Sequence, residues 1–404
     1  MHVLSGSVRA RSSADVASKA WEVAQRLGVT RVADVTRLDR IGIPVSCATR
    51  PRGGILRVTA GKGRRPVEAY IGALMESIEQ GVAERTAHSA EISWMTARSV
   101  VRQGGPTLGS FCPHINAPLD VDRLLPWVIA HDLVRDCPVP VPAELVFIPC
   151  PEDLLTGYFG STTTGLASGS TYPEALLHAL CEVLERDITS FQTVQDESFL
   201  VLPETLPPEL GSLIEMINRA GLRTWLRWVP SAAGISYFTC LIEDPDFPTP
   251  LFCNGGYGAH PVAAIAASRA ITEAAQSRLA YIQGARESLE DSYALFRDAP
   301  AEVLDGYRKE LVGRYADGAR TVAFSSVPTQ EPAEPEVLLE ALVRRCRAAG
   351  FPSIAAYHYE ELARPFCVVR VTVPHAELFN NASHRLGNRL GSLRRISRTL
   401  EGAR

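Results

Sequence analysis

Acidic and amide side chains spaced three residues apart are the feature of this sequence best suited to chemistry. Glu76 and Glu79 lie in ALMESIEQGVAER, Glu182 and Glu185 in ALLHALCEVLERD, and Glu273 and Gln276 in ITEAAQSR. A spacing of three puts both members of a pair on one helix face. Their neighbours are Leu74, Met75, Ile78 and Val82 in the first segment and Leu180, Cys181, Val183 and Leu184 in the second. On a helical wheel the glutamates border the apolar stripe instead of opposing it. A carboxylate near a core must be ion-paired, hydrogen-bonded or metal-bound. Carboxylates converging from several helices repel one another, and a divalent cation removes the conflict. Magnesium takes oxygen ligands and is shared between carboxylates and phosphates. The plainer alternative is a solvated helix face pairing with Arg85, Arg186 or Arg278. Recurrence of the arrangement on three segments favours shared metal binding.

The elements that must position these residues also recur. Three long helices are expected, at roughly Pro66–His88, 173–193 and 261–284, each after a glycine-rich segment and each with a proline at or near its first turn: Pro66, Pro173 and Pro261. Each is alanine-rich early and polar-paired late, which suggests a partial internal repeat. The loop GKGRRP and the segment GLASGSTYP place backbone N–H groups at helix starts, where anionic groups settle, and Lys62, Arg64 and Arg65 add positive charge. Neither loop fits GxxxxGK[ST]. Thr171-Tyr172-Pro173-Glu174 reads as a capping box, a role for Glu174 at least as well founded here as metal binding.

Around these, a short helix is expected at 14–27 and further helices near 207–220, 300–316 and 335–349. Strands are expected at 41–51, 54–63, 126–134, 142–150, 223–229, 235–244 and 250–258, and near 320–326, 353–358 and 366–373; 161–170 reads as a small-residue loop. The sum is an α+β protein with mixed or antiparallel sheets flanked by helices. With 404 residues, 46% of them hydrophobic, the chain can build a large core. A net charge of -4 without basic runs argues against a nucleic-acid binder. No apolar run reaches the about 18 residues of a membrane span, and no signal peptide is visible. The nine cysteines never form a CxxC pair and read as thiols in a reducing cytoplasm.

These segments resemble the YcaO family of ATP-dependent enzymes that modify peptide backbones. The resemblance spans roughly residues 30–375. Its blocks are LDRIGIPV with GKGRRPVEAYIGALMESIE, then GLASGSTYPEALLHALCEVLERD, then ASRAITEAAQSRLAYIQGARE, with VVRVTVPHAE as a late strand and turn. It implies a YcaO-like fold with a buried ATP site and the cofactors ATP and Mg2+. Carried across motif by motif, Glu76 and Glu79 are magnesium-nucleotide ligands. Glu182 and Glu185 belong to an E-x-x-E-R group with Arg186, Glu182 touching both metal and nucleotide. Gln276, Arg278 and Arg286 bind nucleotide, as do Lys62 and Ser170, and Glu174 becomes a ligand beside the cap. Departures from the family pattern are Ser170 for asparagine, Gly72 for serine, Glu287 for aspartate, His375 for glycine, and no PxPxP ending.

The resemblance implies a segment 1–35, a catalytic domain at 36–380 and a basic tail at 381–404. It implies a ribosomally synthesised precursor peptide as substrate and, with no leader-binding domain expected, a TfuA-like partner for thioamide formation. Azoline or amidine formation, and a non-catalytic ATP-binding accessory role, stand as alternatives. No nucleic acid or membrane partner is expected; a homodimer is allowed. No residue is assigned as general base.

Overall fold

The computed structural model describes residues 1–4, 6–86, 90–247, 249–286, 289–359, 362–379 and 384–392. Its helices are α1 (Ser13–Arg26), α2 (Pro66–Thr86), α3 (Ala97–Arg102), α4 (Tyr172–Val194), α5 (Pro208–Arg219), α6 (Ala263–Gln283), α7 (Glu290–Arg297), α8 (Ala301–Ala316) and α9 (Pro335–Ala348). The chain divides into two compact units. The first comprises Met1–Ile78 with Glu197–Glu334, and the second Glu79–Asp196 with Pro335–Arg404. The division falls inside α2, between Ile78 and Glu79.

In the first unit, Cys253–His260, Ser236–Glu243, Arg223–Val229, Phe199–Val201 and Thr321–Val322 form one sheet in that order. All neighbours are antiparallel except the last pair. All eight residues of Ser236–Glu243 are buried, as befits a central strand covered on both faces. The apolar faces of α5 and α6 cover this sheet through Leu213, Ile217, Ala266, Ala270 and Ala274. A second, antiparallel sheet joins Arg31–Asp34, Val45–Thr49 and Val58–Lys62. Its Val45 and Cys47 share a small core with Leu279 of α6.

In the second unit the sheet order is Ser93–Thr96, Leu124–Asp132, Ala355–Tyr359, Cys367–Thr372 and Leu166–Gly169, with Cys137–Pro142 on the other side of Leu124–Asp132; every pair is antiparallel. Helix α4 packs on Leu166–Gly169 and Cys367–Thr372, and α9 packs on α4.

The glycine-rich segments before the three long helices have one physical purpose. Each ends in a strand whose glycines lie directly on the helix that follows. A methyl added at Gly61 would meet Ala69 O at 2.1 Å, and one at Gly258 would meet Ala266 O at 2.1 Å. Gly169 stands likewise against Ala175 N, at 2.5 Å. Glycine in the strand and alanine early in the helix allow backbone-to-backbone approach. The repeated pattern is therefore a repeated strand–helix joint, and the polar pairs ride on the later half of each helix.

Two sequence expectations need correction. The run 142–150 is not a strand. After Cys137–Pro142 the chain turns through a short 3-10 segment at Ala143–Leu145, and Val146, Phe147 and Ile148 fill the core from irregular backbone. A continuous apolar run reports burial without reporting backbone type. Part of the expected loop 161–170 is a strand, Leu166–Gly169, paired with Cys367–Arg370. Its small residues suit the close helix contact more than they indicate a turn. The expected helix end at His88 lies outside the described residues, as do Glu287 and most of the tail 381–404. No helix among the described residues is long and apolar enough to cross a membrane.

Candidate functional site

The expected site residues fall into two groups, one in each unit. In the first unit Glu76 projects from α2 beside the strand Val58–Lys62, and Glu76 Oε2 accepts a hydrogen bond from Ala60 N at 3.2 Å. Burial pushes the Glu76 carboxyl above its ordinary range, and Glu273 adds to this, while the charges of Arg286 and Lys62 pull it back. Lys62 Nζ forms an ion pair of 2.7 Å with Glu273 Oε2 of α6. Lys62, Glu76, Glu273 and Arg286 thus form one electrostatic cluster. Gln276 follows on α6 and is half-buried.

Arg278 is held elsewhere. Its Nε donates to Asp39 Oδ2 at 3.1 Å and its Nη2 to Asp244 Oδ2 at 2.8 Å, and its guanidinium lies over the Phe252 ring at 5.3 Å. Arg40 Nη2 also reaches Asp244, at 3.0 Å. Asp39 of LDRIGIPV and Asp244 therefore hold an arginine of α6 in place, and Arg40 shares Asp244 with it. Sequence reading did not assign them that role; the opposite charges in LDR and QSR were the available signal.

In the second unit α4 starts where Thr171 caps it, with Oγ1 accepting from Glu174 N at 3.4 Å. Ser170 and Glu174 are buried at this start. One face of α4 is buried through Ala175, Leu176, Ala179, Leu180, Val183 and Leu184, which orients Glu182 and Glu185. Glu182 Oε2 accepts from Gly165 N at 3.3 Å. Its carboxyl is pushed up to about 7, first by burial and then by Glu185, against the charges of Arg186 and Arg370. Glu185 Oε1 lies 3.3 Å from Arg186 Nη2. Glu79 Oε1 accepts from both Ser168 N at 2.8 Å and Ser168 Oγ at 2.6 Å.

Arg370 was missed as a site residue. It is buried in Cys367–Thr372, donates from Nε to Leu145 O at 2.9 Å and from Nη2 to Thr162 O at 2.6 Å, and its charge acts on Glu182. An arginine centred in VVRVTV was the signal, since a cation in an apolar strand must serve a partner. Asp187 pairs with Arg389 at 2.6 Å.

Among the described residues no three His, Cys, Asp or Glu side chains stand close enough to hold a metal ion by themselves. The fit to a metal-bridged polyanion rests on two other facts. Glu76 and Glu182 are recessed carboxylates held above their ordinary range by burial, which a cation would relieve. Buried guanidinium atoms, Arg286 Nε, Arg370 Nη1 and Arg278 Nη1, lack hydrogen-bond partners and can serve an anion. Magnesium shared with phosphates needs only one or two carboxylates of the protein, so the residues fit.

The family model described as YcaO cyclodehydratase, ATP-ad Mg2+-binding, matches residues 60–377. The chain belongs to the YcaO family, a family of ATP-dependent enzymes of cyclodehydratase type. It is 32% identical over 380 residues to an uncharacterized protein of Methanothermobacter thermautotrophicus, covering 91% of this chain and 94% of that one. It is 30% identical over 362 residues to an uncharacterized protein in the tfuA 3' region of Rhizobium leguminosarum bv. trifolii, covering 87% of this chain and 84% of that one. Its fold is similar to that of YcaO from Methanopyrus kandleri bound with AMPPCP and Mg2+, with a TM-score of 0.75, 25% identity, and coverage of 96% of this chain and 97% of that chain. A heterocyclase in complex with substrate and cofactor shares the fold, with a TM-score of 0.71 and 16% identity, covering 94% of this chain and 54% of that chain. The α+β fold and the cofactors ATP and Mg2+, both expected from sequence, agree with these findings.

Proposed function

We propose that this chain uses ATP, with magnesium held by Glu76, Glu79, Glu182 and Glu185, to activate a backbone amide of a ribosomally synthesised peptide. The observation that carries the reading is Glu182, a recessed carboxylate at about 7 despite two nearby arginines. Such a group is poised for a metal. When bound, magnesium neutralises charge on the phosphates and the developing oxyanion. Lys62 and Arg286 supply positive charge to phosphate oxygens in the first unit. Arg186 does so in the second, with Ser170 and the backbone N–H groups at the start of α4. Gln276 and Glu174 orient the nucleotide, and Arg278 does so from a position fixed by Asp39 and Asp244. The chain works in the cytoplasm, where its peptide is made.

In this chemistry a nucleophile adds to the amide carbon and the amide oxygen attacks the γ-phosphate, releasing ADP. Phosphate then leaves with that oxygen. The leading reading is thioamide formation, with sulfide as nucleophile and a TfuA-like protein as partner. The relative from a tfuA 3' region supports it. The second reading is azoline formation by a cysteine, serine or threonine side chain with net loss of water; the family's description as a cyclodehydratase favours it.

The test is to incubate a precursor peptide with the chain, ATP, Mg2+, sulfide and a TfuA-like protein, then weigh the peptide and measure ADP. The expected result is ATP hydrolysis only with peptide, exchange of oxygen for sulfur, and loss of conversion in Glu76→Ala and Glu182→Ala. Full conversion by both variants would sink the site assignment. Loss of water would select the second reading, and ATP binding without peptide change would select an accessory role.

A further inference from the structure

Arg286 belongs to two environments. Its charge acts on Glu76, and it also lines a cavity of about 620 Å3 together with Leu251, Gly284, Tyr293, Phe296 and Arg297. Lys62, Glu76 and Glu273 are not among the lining residues. The chain reaches this cavity by a left-handed cap: Gly284, at φ 65°, donates to Ala280 O at 2.9 Å, ends α6 and carries Arg286 away from the helix. Helix α7 then supplies an aromatic wall. Tyr293 Oη donates to Tyr281 O at 2.6 Å with its ring edge-on to Tyr281, and Phe296 packs on Tyr307 at 5.7 Å.

Two guanidiniums line this cavity. Arg286 Nε is buried without a partner. Arg297 is exposed and forms no ion pair among the described residues. No aspartate or glutamate is among the described lining residues. A magnesium-bound phosphate needs carboxylates beside it, and the described lining residues include none. A peptide carboxylate with an apolar neighbour needs a planar cation and an aromatic wall, and the cavity has both. Its volume suits a few side chains. Because Arg286 also acts on Glu76, an occupant here would lie beside the proposed ATP chemistry, as a substrate should.

We propose that this cavity is a specificity subsite for the peptide. It takes an acidic residue flanked by an aromatic or aliphatic one, with Arg297 holding the carboxylate, Arg286 adding positive charge, and Leu251, Tyr293 and Phe296 receiving the apolar neighbour. The inference rests on the peptide-modifying reading above. The experiment compares two probes by calorimetry at low salt: acetyl-Leu-Phe-Asp-Glu-Phe-amide and its counterpart with Asn and Gln in place of Asp and Glu. Binding of AMPPCP with Mg2+ is measured in parallel. The acidic peptide is expected to bind about tenfold more tightly than the neutral one, as loss of a charge-assisted bidentate contact implies. Arg297→Ala is expected to bring the two affinities to within about threefold and to leave AMPPCP binding unchanged; Arg297→Lys is expected to fall between. Equal binding of both peptides by the wild type, or binding of neither, overturns the subsite. Weakened AMPPCP binding in Arg297→Ala also overturns it, by assigning the cavity to the nucleotide. Unchanged AMPPCP binding keeps failure of the subsite distinct from failure of the ATP site.

Discussion

With the metal at Glu182, as proposed, its raised carboxyl makes binding of the nucleotide a proton-releasing event. A metal requires the ionised carboxylate, whereas the free protein at neutral pH holds about half of this group protonated, because its pKa is about 7. The sign follows directly. The folded pKa exceeds the ordinary 4.5, so the folded state binds more protons than the unfolded state between these values. Glu182 therefore costs the free protein stability as pH rises from 4.5 through about 7, at most about 3 kcal/mol, and magnesium binding reverses that cost. Affinity for AMPPCP with Mg2+ should be roughly tenfold weaker near pH 6 than near pH 8, with close to one proton released per nucleotide bound near pH 6. Calorimetry in two buffers of different ionisation enthalpy counts that proton. Glu182→Gln should bind weakly and lose the pH dependence. A wild-type affinity that is equal at both pH values, with no buffer-dependent heat, would refute the placement of the metal at Glu182.

Gly61→Ala should lower the melting temperature by several degrees. Its new methyl would stand 2.1 Å from Ala69 O, and overpacking of this kind costs about 1–3 kcal/mol. Arg370→Met should destabilise the fold by about 2–3 kcal/mol through loss of two charged hydrogen bonds. It should also move the pH midpoint of nucleotide binding upward, since Glu182 loses an opposing charge; pH-dependent calorimetry reads the shift. Asp244→Ala should cost about 2–3 kcal/mol in urea unfolding by removing one of the two carboxylates on buried Arg278. The double variant Asp244→Ala, Arg278→Met should lose less than the sum of the single variants.

The long helices could be read from sequence because proline starts and apolar spacing act within one segment. That is why α2, α4 and α6 begin close to where Pro66, Pro173 and Pro261 place them. The repeated glycines could be seen, but their cause could not. Only the folded chain shows Gly61, Gly169 and Gly258 against helix backbone. Partners distant in sequence were hidden for the same reason. Arg278 could be picked out as a site arginine, yet nothing local ties it to Asp39 and Asp244, which lie far away along the chain. Arg370 was overlooked because it sits inside a strand whose neighbours are all apolar, where burial explains the pattern without the arginine. Helix α7 escaped notice because it is short.

The central claim is that a backbone amide oxygen is transferred to the γ-phosphate of ATP. It is tested most directly by labelling that carbonyl of a precursor peptide with heavy oxygen and analysing the released phosphate by mass spectrometry. The account expects the label in phosphate, in step with the modified peptide and the ADP formed. Phosphate that is labelled only from solvent water, with the peptide modified all the same, would contradict it.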